Sequence, residues 1–167
     1  MSDPSGGETV ADELVDDAVA ELARRIGDAR RLDHPLALVA LEVAGLDDLA
    51  DRLGRDVADA ALAELVRRLD GHVGDGSVHR LGQATFALML DGDTTSAETL
   101  LGALATDVGP AETESAIGLS AGVTEVVEGD DERTAFARAE HALWQARQAG
   151  RGTVVVALPG SRTPHSS

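Results

Sequence analysis

Val78-His79-Arg80-Leu81-Gly82-Gln83-Ala84-Thr85-Phe86-Ala87-Leu88-Met89-Leu90 is the stretch that decides the fold. Two runs with strand propensity flank Gly82-Gln83, the pattern of a tight β-hairpin. A glycine at the first turn position suits a two-residue type II′ connection, whose first central residue needs φ > 0. Phe86 then opens an apolar run that calls for a buried strand.

The flanking sequence supplies the partners of this hairpin. Val15, Ala18, Val19, Leu22 and Ile26 recur at helical spacing, and Thr9 with Asp12 reads as a capping box; together they predict a helix from about Val10 to Arg31. Pro35 to Val43, apolar throughout but for Glu42, is consistent with a central strand buried on both faces. A short helical piece at Leu46 to Leu53 ends at Gly54, and Ala58, Ala61, Leu62, Leu65 and Leu69 share a face of the next helix. After the hairpin, Thr95 and Glu98 read as a capping box for a helix to about Asp107. Ser115 to Val127 reads as a strand, Glu132 to Gln148 as a helix and Thr153 to Leu158 as a last strand. Helices interrupting strands in this order predict an α+β fold, a two-layer α/β sandwich built on a mixed sheet flanked by helices. Residues 10–158 form one domain in this reading. Residues 1–9 and 159–167, small, polar and rich in Gly, Pro and Ser, are expected to be disordered. With the first helix so near the start, a stand-alone domain is expected.

The composition narrows the chemistry. The chain has 167 residues, no Cys, two Phe, one Trp and no Tyr, so its core is aliphatic, and disulfides, thiolate catalysis and Cys-ligated metals are excluded. It has neither Lys nor Asn, and all fourteen basic residues are Arg, a pattern that fits GC-rich coding. A net charge of −16 repels nucleic acid and anionic membranes over most of the surface. No apolar run reaches membrane-spanning length and no leader is visible, so a cytoplasmic protein is expected. The five His residues show no metal-ligand spacing, and Ser120 has no His-Asp constellation that sequence can place. The acid runs Asp12 to Asp17 and Glu128 to Glu132 read as solvated faces or loops. Trp144, grouped with Ala139, Ala142, Leu143 and Ala146, is expected in the core.

Four landmarks between about Pro35 and Val156 resemble, in order, the diguanylate cyclase (GGDEF) family. Leu41-Glu42-Val43-Ala44-Gly45-Leu46-Asp47-Asp48-Leu49-Ala50-Asp51-Arg52-Leu53-Gly54-Arg55-Asp56-Val57-Ala58-Asp59 is similar, without a gap, to Asp-Ile-Asp-x-Phe-Lys-x-Ile-Asn-Asp-x-x-Gly-His-x-x-Gly-Asp. Gly82-Gln83-Ala84-Thr85-Phe86 stands where the family has Gly-Gly-Asp/Glu-Glu-Phe. Gly118-Leu119-Ser120-Ala121-Gly122-Val123 resembles Thr-x-Ser-x-Gly-Val. Ala139 to Gly152 resembles Ala-Asp-x-Ala-Leu-Tyr-x-Ala-Lys-x-x-Gly-Arg-Asn. The resemblance implies a nucleotide-cyclase-type fold and, for an intact member, condensation of two GTP into cyclic di-GMP across a pair of domains.

That chemistry needs metal ions on hard carboxylates and positive charge on the phosphates. By resemblance Glu42 keeps the first metal carboxylate, while Ala84 replaces the metal acid of the signature and Thr85 the Glu after it. Asp47 stands in place of a phosphate-facing Lys. Asp59 matches the base-reading Asp, Ala50 replaces its Asn partner, and Arg147 and Arg151 retain the charges of the fourth landmark. Vestigial nucleotide contacts are therefore assigned to Asp59, Gly82, Arg147 and Arg151, a residual metal contact to Glu42, and catalytic roles to none. Without a partner acid, Glu42 reads more readily as a solvated acid than as a metal ligand, and Asp59 more readily as the polar face of its helix than as a base reader. The product-inhibition motif is absent, Val73 and Gly76 standing at its charged positions. The expected function is a catalytically degenerate signalling or protein-interaction module in cyclic di-GMP pathways. Its partner would be a second copy, an intact cyclase or another protein, with no nucleic acid or membrane. No cofactor is expected, and Mg²⁺ only if GTP binding survives. The alternative is a GTP sensor or a weak cyclase with a reduced metal site.

Overall fold

The computed structural model of the chain describes residues 5–108, 117–150 and 152–158. Ten elements follow one another: α1 (Ser5–Leu32), β1 (Leu36–Ala44), α2 (Leu46–Leu53), α3 (Arg55–Val73), β2 (Ser77–Arg80), β3 (Thr85–Leu90), α4 (Thr94–Val108), β4 (Gly118–Val126), α5 (Glu132–Ala149) and β5 (Val154–Ala157). The strands form one sheet in the order β2-β3-β1-β4-β5. All neighbours run antiparallel except β4 and β5, which are parallel and joined through α5.

β1 is central and apolar on both faces because both faces are covered. Ala37, Val39 and Leu41 point to one side, where Phe86 and Leu88 of β3 meet Leu65 and Leu69 of α3 and Leu101 and Leu104 of α4. Leu36, Leu38 and Ala40 point to the other, with Ala87 and Met89, against Leu22 and Ile26 of α1 and Phe136, Ala139 and Leu143 of α5. The α+β fold with a mixed sheet flanked by helices is thus as expected. With helices on both faces, it has one layer beyond the two expected.

α5 crosses β4 at unusually short range. A Cβ on Gly122 would lie 2.3 Å from both the Ala139 carbonyl oxygen and the Leu143 nitrogen. Only a residue without a side chain lets the two backbones approach this closely. Beside this contact, Arg138 donates to both carboxylate oxygens of Asp130, at 3.0 and 2.7 Å, to Thr124 Oγ1 at 2.6 Å and to the Glu125 carbonyl at 2.9 Å. The pair is buried, with 12% and 8% of the two side chains exposed. It ties the start of α5 to the end of β4.

Four local expectations are corrected. The hairpin loop has three residues, not two, because Arg80 pairs with Phe86 and the Leu81 N–H donates to the Thr85 carbonyl at 2.8 Å. Gly82 does not have the positive φ of a II′ turn. The Arg80 guanidinium instead closes the loop by donating to the carbonyls of Gly82 at 2.8 Å and Gln83 at 2.7 Å. The cap of α4 lies two residues before the expected one: Asp93, not Thr95, accepts from the Ser96 N–H at 2.9 Å. The Thr95 carbonyl accepts instead from Thr99 Oγ1 within the helix. α1 starts at Ser5 rather than near Val10, so Ser5 to Thr9 are helical and not part of a disordered end. Extending a nucleated helix costs far less than starting one, and the Thr9–Asp12 signal marks no boundary. Trp144 is 53% exposed and stacks on His141, the ring centroids 5.9 Å apart. The first residues of the expected strand at Ser115 lie outside the described residues, as does the expected C-terminal tail.

Candidate functional site

The C-terminal end of β1, α2, the start of α3 and the β2–β3 turn converge on a cavity of about 840 Å³. Local sequence explains the convergence. Gly45, at φ 95°, turns the chain straight from β1 into α2, and its carbonyl accepts the first helical bond from the Leu49 N–H at 3.0 Å. Gly54, at φ 103°, breaks α2 from α3 and leaves Arg55 and Asp59 of the new helix facing the opening. Such conformations strain any residue with a Cβ. Leu46 and the buried Leu49 anchor α2 on the core beneath.

Among the charged groups of the wall, acids outnumber bases. Glu42, Asp47, Asp48 and Asp59 line the cavity against Arg55 and Arg80. Arg80 is committed to the turn carbonyls. Arg55 faces Asp47 at 4.0 Å with both side chains well exposed, a contact that water weakens to little. The signature turn presents Gln83, Ala84 and Thr85 to the cavity, one methyl and two neutral polar groups. Glu42 pairs with Thr85 across the β1–β3 ladder, and the Val43 N–H donates to the Ala84 carbonyl at 2.8 Å. Arg147, in the last turn of α5, reaches over β1 to Glu42, Nη2 to Oε2 at 2.5 Å.

The assigned residues therefore separate. Glu42 and Asp59 share the cavity, and Arg147 meets Glu42 directly. Gly82 is in the turn but off the cavity wall, and Arg151 lies outside the described residues. Ala50, on α2, does not line the cavity. Val73 is buried in the core, and a Cβ on Gly76 would meet the Met89 carbonyl oxygen at 2.2 Å, so neither position can carry the charged side chain of a product-binding motif. Two features were missed in the sequence: the Arg80 clamp and the Glu42–Arg147 pair. Neither leaves a periodic signal, since each depends on where a long side chain ends.

The chain matches the family model described as diguanylate cyclase, GGDEF domain, over residues 18–153, and it belongs to that family. No curated protein matches it in sequence. Among solved structures, it is similar to the active GGEEF domain of a diguanylate cyclase from Vibrio cholerae. The two are 22% identical at a TM-score of 0.75, covering 86% of this chain and 94% of that one. It is also similar to the GGDEF domain of DgcB from Caulobacter crescentus in complex with c-di-GMP, at 20% identity and a TM-score of 0.72, covering 83% and 86%. The third is diguanylate cyclase SiaD in complex with its activator SiaC, from Pseudomonas aeruginosa. There the identity is 26% and the TM-score 0.69, over 84% of this chain and 56% of that one. No helix among the described residues is long and apolar enough to cross a membrane.

A catalytic magnesium site does not fit the residues present. Mg²⁺ demands near-octahedral oxygen ligation, usually with one or two carboxylates. Glu42 is engaged by Arg147, and Ala84 and Thr85 offer no charge. Among the described residues, no three His, Asp or Glu side chains are grouped so as to hold a metal ion.

Proposed function

We propose that this GGDEF domain serves a cyclic di-GMP pathway by binding rather than by turnover, pairing with a second copy or with an intact cyclase. One observation carries the reading: the signature turn gives the cavity the Ala84 methyl and the Thr85 hydroxyl where phosphoryl transfer calls for a metal-holding acid. Removing one such electrostatic element typically costs about 3–4 kcal/mol of transition-state stabilisation. The exposed Asp47 carboxylate adds repulsion where a triphosphate would enter. The SiaD–SiaC complex, in which a cyclase is bound by an activator protein, supports regulation through protein contacts.

The test has two arms. The purified chain, incubated with GTP and Mg²⁺, is expected to form no cyclic di-GMP. It is also expected either to self-associate in sedimentation or to change the output of an intact GGDEF cyclase titrated with it. Product formation, or failure of both interactions, defeats the proposal. Asp59 on the cavity wall supports a second reading, guanine-nucleotide sensing without turnover. Micromolar heat on calorimetric titration with GTP in excess Mg²⁺ would select that reading, and silence at millimolar GTP would remove it.

A further inference from the structure

We infer that the cavity operates without any divalent cation, the Arg147 guanidinium serving as a built-in counter-charge for Glu42. The inference deepens the function proposed above and rests on it for the comparison with a metal-holding site.

The backbone of Glu42 is fixed from both sides, by Thr85 in β3 and Ser120 in β4, so its carboxylate reaches a small region at the end of the sheet. Arg147 occupies that region. Its Nη2 lies 2.5 Å from Glu42 Oε2, a short charge-assisted contact between groups 43% and 29% exposed. A dication approaching Glu42 would meet a fixed positive charge and a carboxylate with one oxygen already engaged. The position of Arg147 is favourable for its own reasons, since a cation in the last turn of a helix faces the negative end of the helix dipole.

The carbonyl oxygens of the neighbouring turn also have protein partners. The Ala84 carbonyl accepts from the Val43 N–H at 2.8 Å, and the carbonyls of Gly82 and Gln83 accept from Arg80. Every backbone oxygen of the three-residue turn thus already has a protein donor. Thr85, opposite Glu42 in the ladder, contributes a neutral hydroxyl. Glu42 and the turn carbonyls thus have protein partners in place of a metal, and whatever ligand enters the cavity does so independently of magnesium.

Mn²⁺ is the probe, followed by loss of its free paramagnetic resonance signal on adding the full chain in moderate salt, which screens diffuse attraction to an acidic surface. Four proteins are compared: wild type, Glu42→Gln, Ala84→Asp and the double variant Ala84→Asp/Arg147→Ala, each checked for native circular dichroism. Wild type and Glu42→Gln are expected to take up Mn²⁺ equally. The double variant is expected to bind at least about tenfold more tightly than Ala84→Asp alone, since affinity follows ligand charge and availability. Uptake that falls in Glu42→Gln, or equal affinity for Ala84→Asp and the double variant, overturns the inference. The wild-type and Glu42→Gln comparison decides even if the double variant misfolds. GTP turnover without Glu42-dependent Mn²⁺ uptake would sink the proposed function and leave this inference standing; Glu42-dependent uptake without turnover would do the reverse.

Discussion

Replacing Gly122 by alanine puts a methyl group into the closest backbone contact between β4 and α5. The new Cβ would lie 2.3 Å from the Ala139 carbonyl oxygen and the Leu143 nitrogen, and 2.7 Å from the Ala142 carbonyl carbon. Ordinary contact begins at 3.4 Å, so the shortfall is about 1.1 Å, and all three atoms are backbone that no rotamer change can move aside. α5 must lift off the sheet by about 1 Å over its middle, where Phe136, Ala139 and Leu143 pack on β1 and β3. Overpacking of this kind costs about 1–3 kcal/mol, and a clash with backbone belongs at the upper end. For a chain of this size, 3 kcal/mol lowers Tm by roughly 6–12 °C. The assay is thermal unfolding by circular dichroism, with urea titration at fixed temperature as a second reading. A Tm within about 1 °C of wild type would refute the reasoning, because it would mean that α5 and β4 are not held at this separation.

Asp130 carries the second prediction. Burial alone would push its carboxyl up, but the bonds from Arg138 and the Val127 N–H outweigh it and hold it below the ordinary value. Stability from this group is therefore complete above the unfolded value of about 4 and is lost as pH falls through the lower folded value. Asp130→Asn leaves the buried Arg138 without its counter-charge, an expected cost of about 3–5 kcal/mol in urea titration at neutral pH, with a flatter acid limb below pH 4. For α4, Asp93→Ala is expected to lower the urea midpoint and Thr95→Ala to leave it unchanged, since Asp93 makes the cap. The sole Trp is at the surface, so its emission is expected to shift little between native buffer and concentrated urea and to be quenched readily by acrylamide in both. A strong native blue shift would place Trp144 against another surface.

Reading the chain in advance worked where one residue pattern had one physical cause. The apolar run from Leu36 to Leu41, rich in Leu and Val and preceded by Pro35, fits a strand covered on both faces, and Gly54 falls where one helix gives way to the next. It failed where a side chain overrode a local pattern. Gly82-Gln83 has the residues of a two-residue turn, yet Arg80 bonds to both carbonyls and closes a wider one. Trp144 looked internal by proximity to Ala142 and Ala146. At 100° per residue, a position two away from both lies on the opposite side of the helix. At the site, the neutral residues Ala84 and Thr85 were plain in the sequence. The Glu42–Arg147 pair was not, because the two groups lie far apart in the chain and meet only once α5 lies over β1.

The placement of β1 has a consequence for how the protein is made. In the finished sheet Ala40 sits between Ala87 and Gly122, so a chain emerging from the ribosome completes its middle strand before either neighbour exists. The hairpin of β2 and β3 is local and can cover one edge soon after it emerges. The other edge waits for β4, and the stretch from Leu90 to Val126 takes roughly two to seven seconds to synthesise at ordinary rates. During that interval β1 offers a row of open amides and carbonyls on a strongly apolar strand, the template on which nascent chains pair with one another. Slowing translation between Leu90 and Gly118 prolongs that exposure, and the yield of native protein should fall with it.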